Sequence, residues 1–183
     1  MLIDQKNFSS SNVIFSIRTA SEEDASHLSE LRLKIDGETE NLDREKGEAY
    51  IDEAGFRKII EEDKLSGNSL FLVAETNGKL VAFSRCAGNG LKRTYHQTEF
   101  GIGVFREYWG YGIGKNMLNE SIQWADANGI QKLTLKVLET NSKAIALYKK
   151  FDFEVEGILR KDKLLSDGDY YNTVLMGRFN IHD

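Results

Sequence analysis

The part of the chain best suited to chemistry is a glycine-rich loop that lies between the end of a strand and the start of a helix. Its residues are Trp109, Gly110, Tyr111, Gly112, Ile113, Gly114 and Lys115. Glycines allow a tight turn and a close approach of the backbone to a ligand. A helix N-terminus adds about half a positive charge. The loop therefore predicts a site for an anion such as a pyrophosphate.

The spacing of these glycines argues against the common nucleotide sites. Gly-x-Gly-x-Gly is neither the dinucleotide pattern Gly-x-Gly-x-x-Gly nor a phosphate loop followed by Gly-Lys-Ser/Thr. NAD binding and nucleotide hydrolysis are therefore disfavoured. A plain nucleotide-binding α/β protein, and a tight glycine connection without any ligand, stay open as alternatives.

A second motif begins at Asn141, which is suited to cap a helix over residues 142–151. The apolar residues Ala144, Leu147, Tyr148 and Phe151 follow with helical spacing. On this pattern alone, Tyr148 is a core residue that packs against the sheet.

Together with the segment Asp167-Gly168-Asp169-Tyr170-Tyr171, these motifs resemble the GCN5-related N-acetyltransferase superfamily across about residues 99–179. The family's acyl-CoA loop reads Gln/Arg-x-x-Gly-x-Gly/Ala, and its later motif reads Asn-x-x-Ala-x-x-Leu-Tyr-x-Lys-x-Gly-Phe. Trp109 stands where Gln or Arg is usual, which is similar to the Tyr-Trp-Gly of the ribosomal-protein N-acetyltransferase branch. Asp152 replaces the usual Gly.

The resemblance implies an α/β fold with a mixed, largely antiparallel sheet of six to seven strands and about four helices. It also implies that the fourth and fifth strands, residues 99–104 and 132–138, splay apart to admit the pantetheine of acetyl-CoA. Gly101 and Gly103 in the fourth strand fit a bulge or a close backbone approach. The implied donor-binding residues are Ile102, Gly103, Val104, Trp109, Gly110, Tyr111, Gly112, Ile113, Gly114, Lys115, Asn141 and Ala144.

By the same resemblance, Tyr148 protonates the departing CoA thiolate. Glu99 is the candidate base for the amine, acting through water, with His96 or water alone as alternatives. The implied reaction is direct acetyl transfer from acetyl-CoA to a primary amine in a ternary complex. A non-catalytic acyl-CoA-binding regulatory module on the same fold is the alternative.

Two other reactive residue types carry less weight. Cys86 could suggest an acyl-cysteine intermediate, but it has no nearby His and lies in a strand-like core segment. His27, His96 and His182 show no metal-ligand spacing, so no metal is expected.

The elements that position these residues form a single domain in a chain of 183 residues. Residues 1–12 are expected to be a loose leader, and residues 13–183 the acetyltransferase domain. Hydrophobic periodicity predicts the order β-α-α-β-β-β-α-β-α-β-β. The first helix follows the cap Ser21, and the Asn77-Gly78 pair predicts a hairpin. The predicted segments are strands at 13–18, 70–75, 80–86, 99–104, 132–138, 153–160 and 170–179, and helices after 21 and at 50–63, 113–128 and 142–151.

The charge pattern limits the partners. The net charge of −5 disfavours nucleic acid. No apolar run or signal core predicts membrane insertion or secretion, and the lone Cys86 favours the cytoplasm. Residues 36–53 hold eight acids against Arg44 and Lys46. This segment predicts a cationic small-molecule or peptide acceptor, with an ordinary solvated acidic face as the alternative. A homodimer is left open.

Overall fold

Alternating and helical apolar patterns assemble into one eight-stranded sheet with four α-helices. The computed structural model describes residues 2–10 and 13–180. The strands are β1 (Lys6–Ser10), β2 (Val13–Thr19), β3 (Leu70–Thr76), β4 (Lys79–Ala87), β5 (Gln97–Val104), β6 (Lys132–Leu138), β7 (Glu154–Leu164) and β8 (Tyr170–Phe179). The helices are α1 (Ala25–Asp36), α2 (Glu53–Leu65), α3 (Ile113–Ala127) and α4 (Ser142–Lys150), with short 3-10 turns at Glu22–Asp24 and Arg106–Tyr108.

The strands lie in the order β1-β2-β3-β4-β5-β6-β8-β7. Every neighbouring pair is antiparallel except β5 and β6, which run parallel. The predicted mixed, largely antiparallel sheet with four helices is therefore confirmed, although the strand count exceeds the expected six to seven.

The additional strand is β1, which lies inside the segment expected to be a loose leader. Phe8 is its one large apolar residue, so the alternation is too weak to predict a strand. The strand forms because β2 supplies an antiparallel partner along its whole length and Phe8 stacks on Phe15, with ring centroids 5.4 Å apart. Residues 1, 11 and 12 of the expected leader lie outside the described residues, as does His182.

Two hydrophobic clusters cover opposite faces of the sheet. The larger cluster includes Met117 and Leu118 of α3, with Tyr148 of α4, against inward residues of the strands. The smaller one includes Leu28 of α1 and Phe56 of α2 against the other face of β3. Because side chains alternate along a strand, each strand residue belongs either to the α3–α4 face or to the α1–α2 face.

The sheet opens between β5 and β6. Only residues 97–99 of β5 pair with residues 132–134 of β6, and both strands continue beyond that point without pairing with each other. The remaining residues, 100–104 and 135–138, line a gap that opens toward the C-terminal ends of both strands. This gap lies between the fourth and fifth predicted strands, where the sequence resemblance placed the splay.

Local turn chemistry follows the sequence closely. Asn77 and Gly78 both have positive φ, which is the conformation a two-residue hairpin turn requires. The Asn141 side chain accepts from the Ala144 amide at 3.3 Å and so caps α4. Among the described residues, no helix is long and apolar enough to cross a membrane.

Candidate active site

Where the glycine-rich loop meets the start of α3, several consecutive backbone amides have no hydrogen-bond acceptor among the described residues. Gly110 and Gly112 have φ of 87° and 78°, a left-handed conformation that L side chains rarely adopt. The amide of Asn116 is the first that donates within the helix, to the Gly112 carbonyl at 2.9 Å. None of the amides of residues 110–115 donates to an acceptor in the described part of the chain. An anion could accept several of these hydrogen bonds at once.

Trp109 anchors this loop to β5. Its indole Nε1 donates to the Val104 carbonyl at 2.7 Å, and the Arg106 guanidinium lies 5.9 Å from the centre of the indole ring. The loop position that departs from the family pattern therefore has a structural role, since it holds the loop against the open end of the gap.

The edge of β5 that faces the gap has unpaired backbone groups. The His96 carbonyl, just before β5, accepts from Gln131 and Lys132 on the β6 side, and the Phe105 amide, just after β5, donates to Val81 on the β4 side. Because backbone groups of successive strand residues point to opposite edges, the groups of Ile102 and Val104 face the gap. The Val104 carbonyl already accepts from Trp109 Nε1. β6 pairs with neither residue there, so an extended ligand chain could bond to the Ile102 amide and carbonyl and to the Val104 amide.

The neighbouring glycines contribute in different ways. A Cβ on Gly114 would lie 3.6 Å from Val104 and 3.7 Å from Ile102, so the start of α3 packs closely beside the gap. A Cβ on Gly103 would approach Phe83 to 3.0 Å, whereas Gly101 faces open space. The register of β4 with β5 is regular, so the bulge considered from Gly101 and Gly103 is absent from this strand. Gly103 instead makes room for Phe83 on the α1–α2 face.

Tyr148 lies on the α3–α4 face with a buried ring and a free hydroxyl. The ring is 9% exposed and packs against Phe153 at a centroid distance of 5.7 Å. The hydroxyl has no hydrogen-bond partner in the described residues, and its oxygen is not fully buried. Burial raises the pKa of the Tyr148 phenol to about 12, which keeps it protonated at neutral pH.

Two further predicted donor-binding residues sit at the start of α4. Asn141 uses its side-chain oxygen to cap the helix, and Ala144 packs against the larger hydrophobic cluster. At the other end of α4, Asp152 has φ of 63°, the left-handed conformation that explains why the family motif has Gly there. The structure thus places Asn141, Ala144 and Tyr148 on the same side of the sheet as Ile102 and Val104.

Glu99 lies on the opposite, α1–α2 face, where β5 and β6 begin to separate. Its carboxylate is 3.5 Å from Lys136 Nζ on β6, and both side chains are about half exposed. The structure therefore does not bring Glu99 and Tyr148 to one face; they flank the gap from opposite sides. His96 precedes β5 beyond the closed end of the gap and is exposed. Lys136 was not singled out from sequence, because its nearness to Glu99 depends on the β5–β6 register.

Cys86 and the carboxylates offer no competing chemistry. Cys86 is fully buried in β4, and burial raises the pKa of its thiol to about 12, which disfavours a nucleophilic thiolate. Within residues 2–10 and 13–180, no group of three His, Cys, Asp or Glu side chains could hold a metal ion.

The acidic segment between α1 and α2 crosses the open end of the gap. We call residues 37–50 the acidic strap. Glu38 accepts from the Arg106 amide at 2.9 Å, beside the open end of β5. Glu40 accepts from the Ser166 amide at 2.8 Å and Asp43 pairs with Lys163 at 2.5 Å, both in the β7–β8 hairpin. The strap is therefore anchored on both arms of the gap.

Most of the other carboxylates of residues 36–53 also make hydrogen bonds or ion pairs within the protein. Asp36 is buried and pairs with Arg32 and Arg44, while Glu48 accepts from the Glu45 amide. Asp52 caps α2 and Glu53 pairs with Arg57. Most of the carboxylates expected to attract a cationic acceptor are thus engaged in holding the strap and the start of α2.

Comparisons with known proteins agree with this geometry. The model of the "Acetyltransferase (GNAT) family" matches residues 36–153. An acetyltransferase from Yersinia pestis (strain Pestoides F) is 30% identical over 102 residues, which cover 55% of this chain and 70% of that protein.

Solved structures give the same result for the fold. A GNAT-family acetyltransferase from Streptococcus pneumoniae superposes with a TM-score of 0.87 at 28% identity, covering 90% of this chain and 99% of that one. The protein yncA from Salmonella typhimurium, solved with its cofactor acetyl-CoA, has a TM-score of 0.81 at 18% identity, covering 92% and 95%. A ribosomal-protein-alanine N-acetyltransferase from Brucella melitensis has a TM-score of 0.78 at 24% identity, covering 89% and 98%.

The similarity to the Salmonella typhimurium and Brucella melitensis structures concerns the fold alone. The family match covers the glycine-rich loop, the gap and the helix that carries Tyr148. The family uses acetyl-CoA as acyl donor, and the free amides, the unpaired edge of β5 and the open gap fit such a donor. This chain belongs to the GNAT acetyltransferase family.

Proposed function

We propose that this protein transfers the acetyl group of acetyl-CoA to a primary amine of a small molecule or peptide, by direct attack in a ternary complex. The observation that carries the proposal is the gap between β5 and β6, which opens beyond residues 99 and 134 and has a row of free amides beside its wide end. A sheet paired along its full length would leave no path between its two faces.

The donor side of the site would be the α3–α4 face. The amides of residues 110–115 would bind the diphosphate, and the Ile102 backbone and the Val104 amide would pair with the pantetheine arm. Ile113 is 1% exposed, so its backbone rather than its side chain would contact the donor. Acetyl-CoA supplies an activated acyl group and a thiolate leaving group. Backbone amides at the gap edge would also stabilise the oxyanion that develops on the acyl oxygen.

The catalytic roles divide between the two faces. The amine nitrogen forms a bond to the thioester carbon while the carbon–sulfur bond breaks, and the sulfur leaves with the electron pair. Tyr148 would give its proton to that sulfur as negative charge develops there. The transfer is uphill, because the Tyr148 phenol has a pKa of about 12 and an ordinary thiol has a pKa near 8.5, so it would be coupled to cleavage of the carbon–sulfur bond. Glu99 would accept the amine proton through water from the α1–α2 face.

The acceptor is proposed to be a small-molecule or peptide primary amine that can be cationic, because strap carboxylates such as Glu38 and Glu40 keep their negative charge while they accept from backbone amides. The net charge of −5 supports the absence of a nucleic-acid partner. The buried Cys86 is compatible with the cytoplasm proposed from sequence. If a homodimer forms through a sheet edge, β1 and β7 are the two edge strands, and bulges near residues 156 and 160–162 interrupt the β7 edge.

The test combines binding and turnover. Calorimetric titration should show acetyl-CoA binding, and a thiol-release assay over a panel of primary amines should show amine-dependent release of CoA. Absence of acetyl-CoA binding would contradict the proposal. Binding without release for any amine would instead favour the non-catalytic acyl-CoA-binding module.

A further inference from the structure

The strand β1 lies outside the segment that matches the family and runs alongside α3. Its even-numbered residues point toward that helix. Lys6 Nζ lies 2.7 Å from Glu120 Oε2, and Phe8 packs against the cluster that contains α3. Ser10, the last residue of the strand, lies beside Gly112 at the start of α3. β1 thus follows the first half of the helix toward the donor loop.

The lengths of the two elements agree with this placement. The four residue steps from Lys6 to Ser10 span about 13 Å along a strand. The eight residue steps from Glu120 back to Gly112 span about 12 Å along a helix. The contact of Lys6 with the middle of α3 therefore places Ser10 at the N-terminus of the same helix.

Several contacts hold β1 in this position. The Ile3 amide donates to Thr19 Oγ1 at 2.9 Å, and Phe8 stacks on Phe15. The Glu120 side chain that pairs with Lys6 is only 5% exposed, whereas the Lys6 side chain is 47% exposed, so Lys6 reaches from the surface to a buried carboxylate. The strand therefore delivers Ser10 to a defined place.

The Ser10 hydroxyl is unused in the protein itself. It has no hydrogen-bond partner among the described residues, and it lies 4.0 Å from the point that a Cβ on Gly112 would occupy. It adjoins the free amides of the donor loop, so it could donate to an oxygen of an anion held there. Hydrogen bonds to charged acceptors are stronger than those to neutral ones.

We infer that Ser10 is a further ligand for a phosphate group of the acyl donor, supplied by the additional strand β1. This inference rests on the proposed function. Acetyl-CoA carries a diphosphate and a ribose 3′-phosphate, and either could accept the hydrogen bond. Ser9 provides a matched control, because it is exposed and alternation directs its side chain to the opposite face.

The experiment is calorimetric titration of the full chain with CoA, comparing wild type with Ser10→Ala, Ser10→Thr and Ser9→Ala. Ser10→Ala should raise the Kd about tenfold or more, as expected for one lost hydrogen bond to a charged acceptor. Ser10→Thr should restore most of the affinity because it keeps the hydroxyl, and Ser9→Ala should stay within twofold of wild type.

Dephospho-CoA identifies the phosphate involved. If Ser10→Ala weakens CoA but not dephospho-CoA, Ser10 binds the 3′-phosphate; if it weakens both equally, Ser10 binds the diphosphate. A Ser10→Ala Kd equal to that of wild type, or an equal loss in Ser9→Ala, would overturn the inference while leaving the proposed function intact. A wild-type protein that does not bind CoA would overturn both.

Discussion

Tyr148 joins a buried ring to a hydroxyl that has no hydrogen-bond partner among residues 2–10 and 13–180. A tyrosine that only packs usually finds a partner for its hydroxyl when it is buried. Here the side chain sits in the larger hydrophobic cluster on the donor side of the gap. The residue pattern alone favoured a packing role, and the free hydroxyl is the feature that supports a chemical one.

We expect Tyr148→Phe to lower kcat at least about tenfold while the Kd for acetyl-CoA changes less than twofold, because the phenyl ring preserves the packing and removes only the proton donor. Burial raises the pKa of Tyr148 to about 12, so the phenol stays protonated and the ratio of rates should be constant from pH 7 to 10. Steady-state kinetics over that range check this. Tyr170→Phe, at an exposed tyrosine, is the control; an unchanged kcat in Tyr148→Phe would remove the residue from the mechanism.

Glu99 and Lys136 pose a separate question, since a half-exposed ion pair contributes little to stability. If Glu99 accepts the amine proton, Glu99→Gln should lower kcat/KM more than threefold across pH 6 to 9 with little change in the melting temperature. Lys136→Gln removes the same ion pair but leaves the carboxylate, so its rates should remain closer to wild type. Equal, small effects in the two variants would reduce Glu99 to a surface ion-pair partner.

At the scale of elements, much of the fold could be predicted because local rules and tertiary packing agree. The strand at 132–138 has the same limits in sequence and structure, and Asn77-Gly78 and Asn141 act as turn and cap. β1 was missed because its stability comes from β2 rather than from its own pattern. The irregular register of β7, with Lys161 at φ 52°, likewise has no local signal.

The candidate site likewise has parts that could be predicted from the sequence and parts that could not. The glycine-rich loop and Tyr148 lie in contiguous motifs, so sequence could select them as candidates. The pairing of Glu99 with Lys136, the link from Glu38 to Arg106 and the position of Ser10 join residues far apart in the chain. These contacts depend on the β5–β6 register and on how the strap crosses the gap, which no spacing in the sequence encodes.

The acidic strap supports a prediction about the acceptor. Glu38→Ala would release the end of the strap that binds the Arg106 amide, so we expect the KM for the amine to rise about threefold to tenfold. The Kd for acetyl-CoA should change less than twofold, because the donor amides are untouched. Glu38→Gln keeps an oxygen acceptor and should resemble wild type.

Glu45→Ala is the matched control, since Glu45 lies in the same strap and its carboxylate has no partner among the described residues. If Glu45→Ala raises the KM as much as Glu38→Ala, loss of negative charge explains the effect. The strap would then attract a cationic acceptor after all, as the local charge balance suggested.

At the scale of the whole molecule, the gap divides the sheet into two parts. Strands β1 to β5 form one part, and β6, β8 and β7 form the other. Three residue pairs between β5 and β6 provide their backbone connection, and side-chain contacts such as Arg178 with Asp126, at 2.7 Å, tie β8 to α3. A ligand that pairs along the gap would therefore connect two strands whose backbones the protein itself pairs only at one end.

This division predicts a specific pattern of hydrogen exchange. Acetyl-CoA should slow exchange in residues 100–104 and 135–138, because the pantetheine arm fills the gap and shields their amides. Adenosine 3′,5′-bisphosphate, which lacks the pantetheine arm, should protect residues 110–115 without protecting the gap. Peptides from β2 and β3, which are paired on both sides, serve as the internal control. If both ligands give the same pattern, or if acetyl-CoA leaves residues 100–104 unprotected, the donor does not lie between β5 and β6. The free amides at the start of α3 would then bind an anion, but the bound molecule would not extend through the gap to the acceptor face.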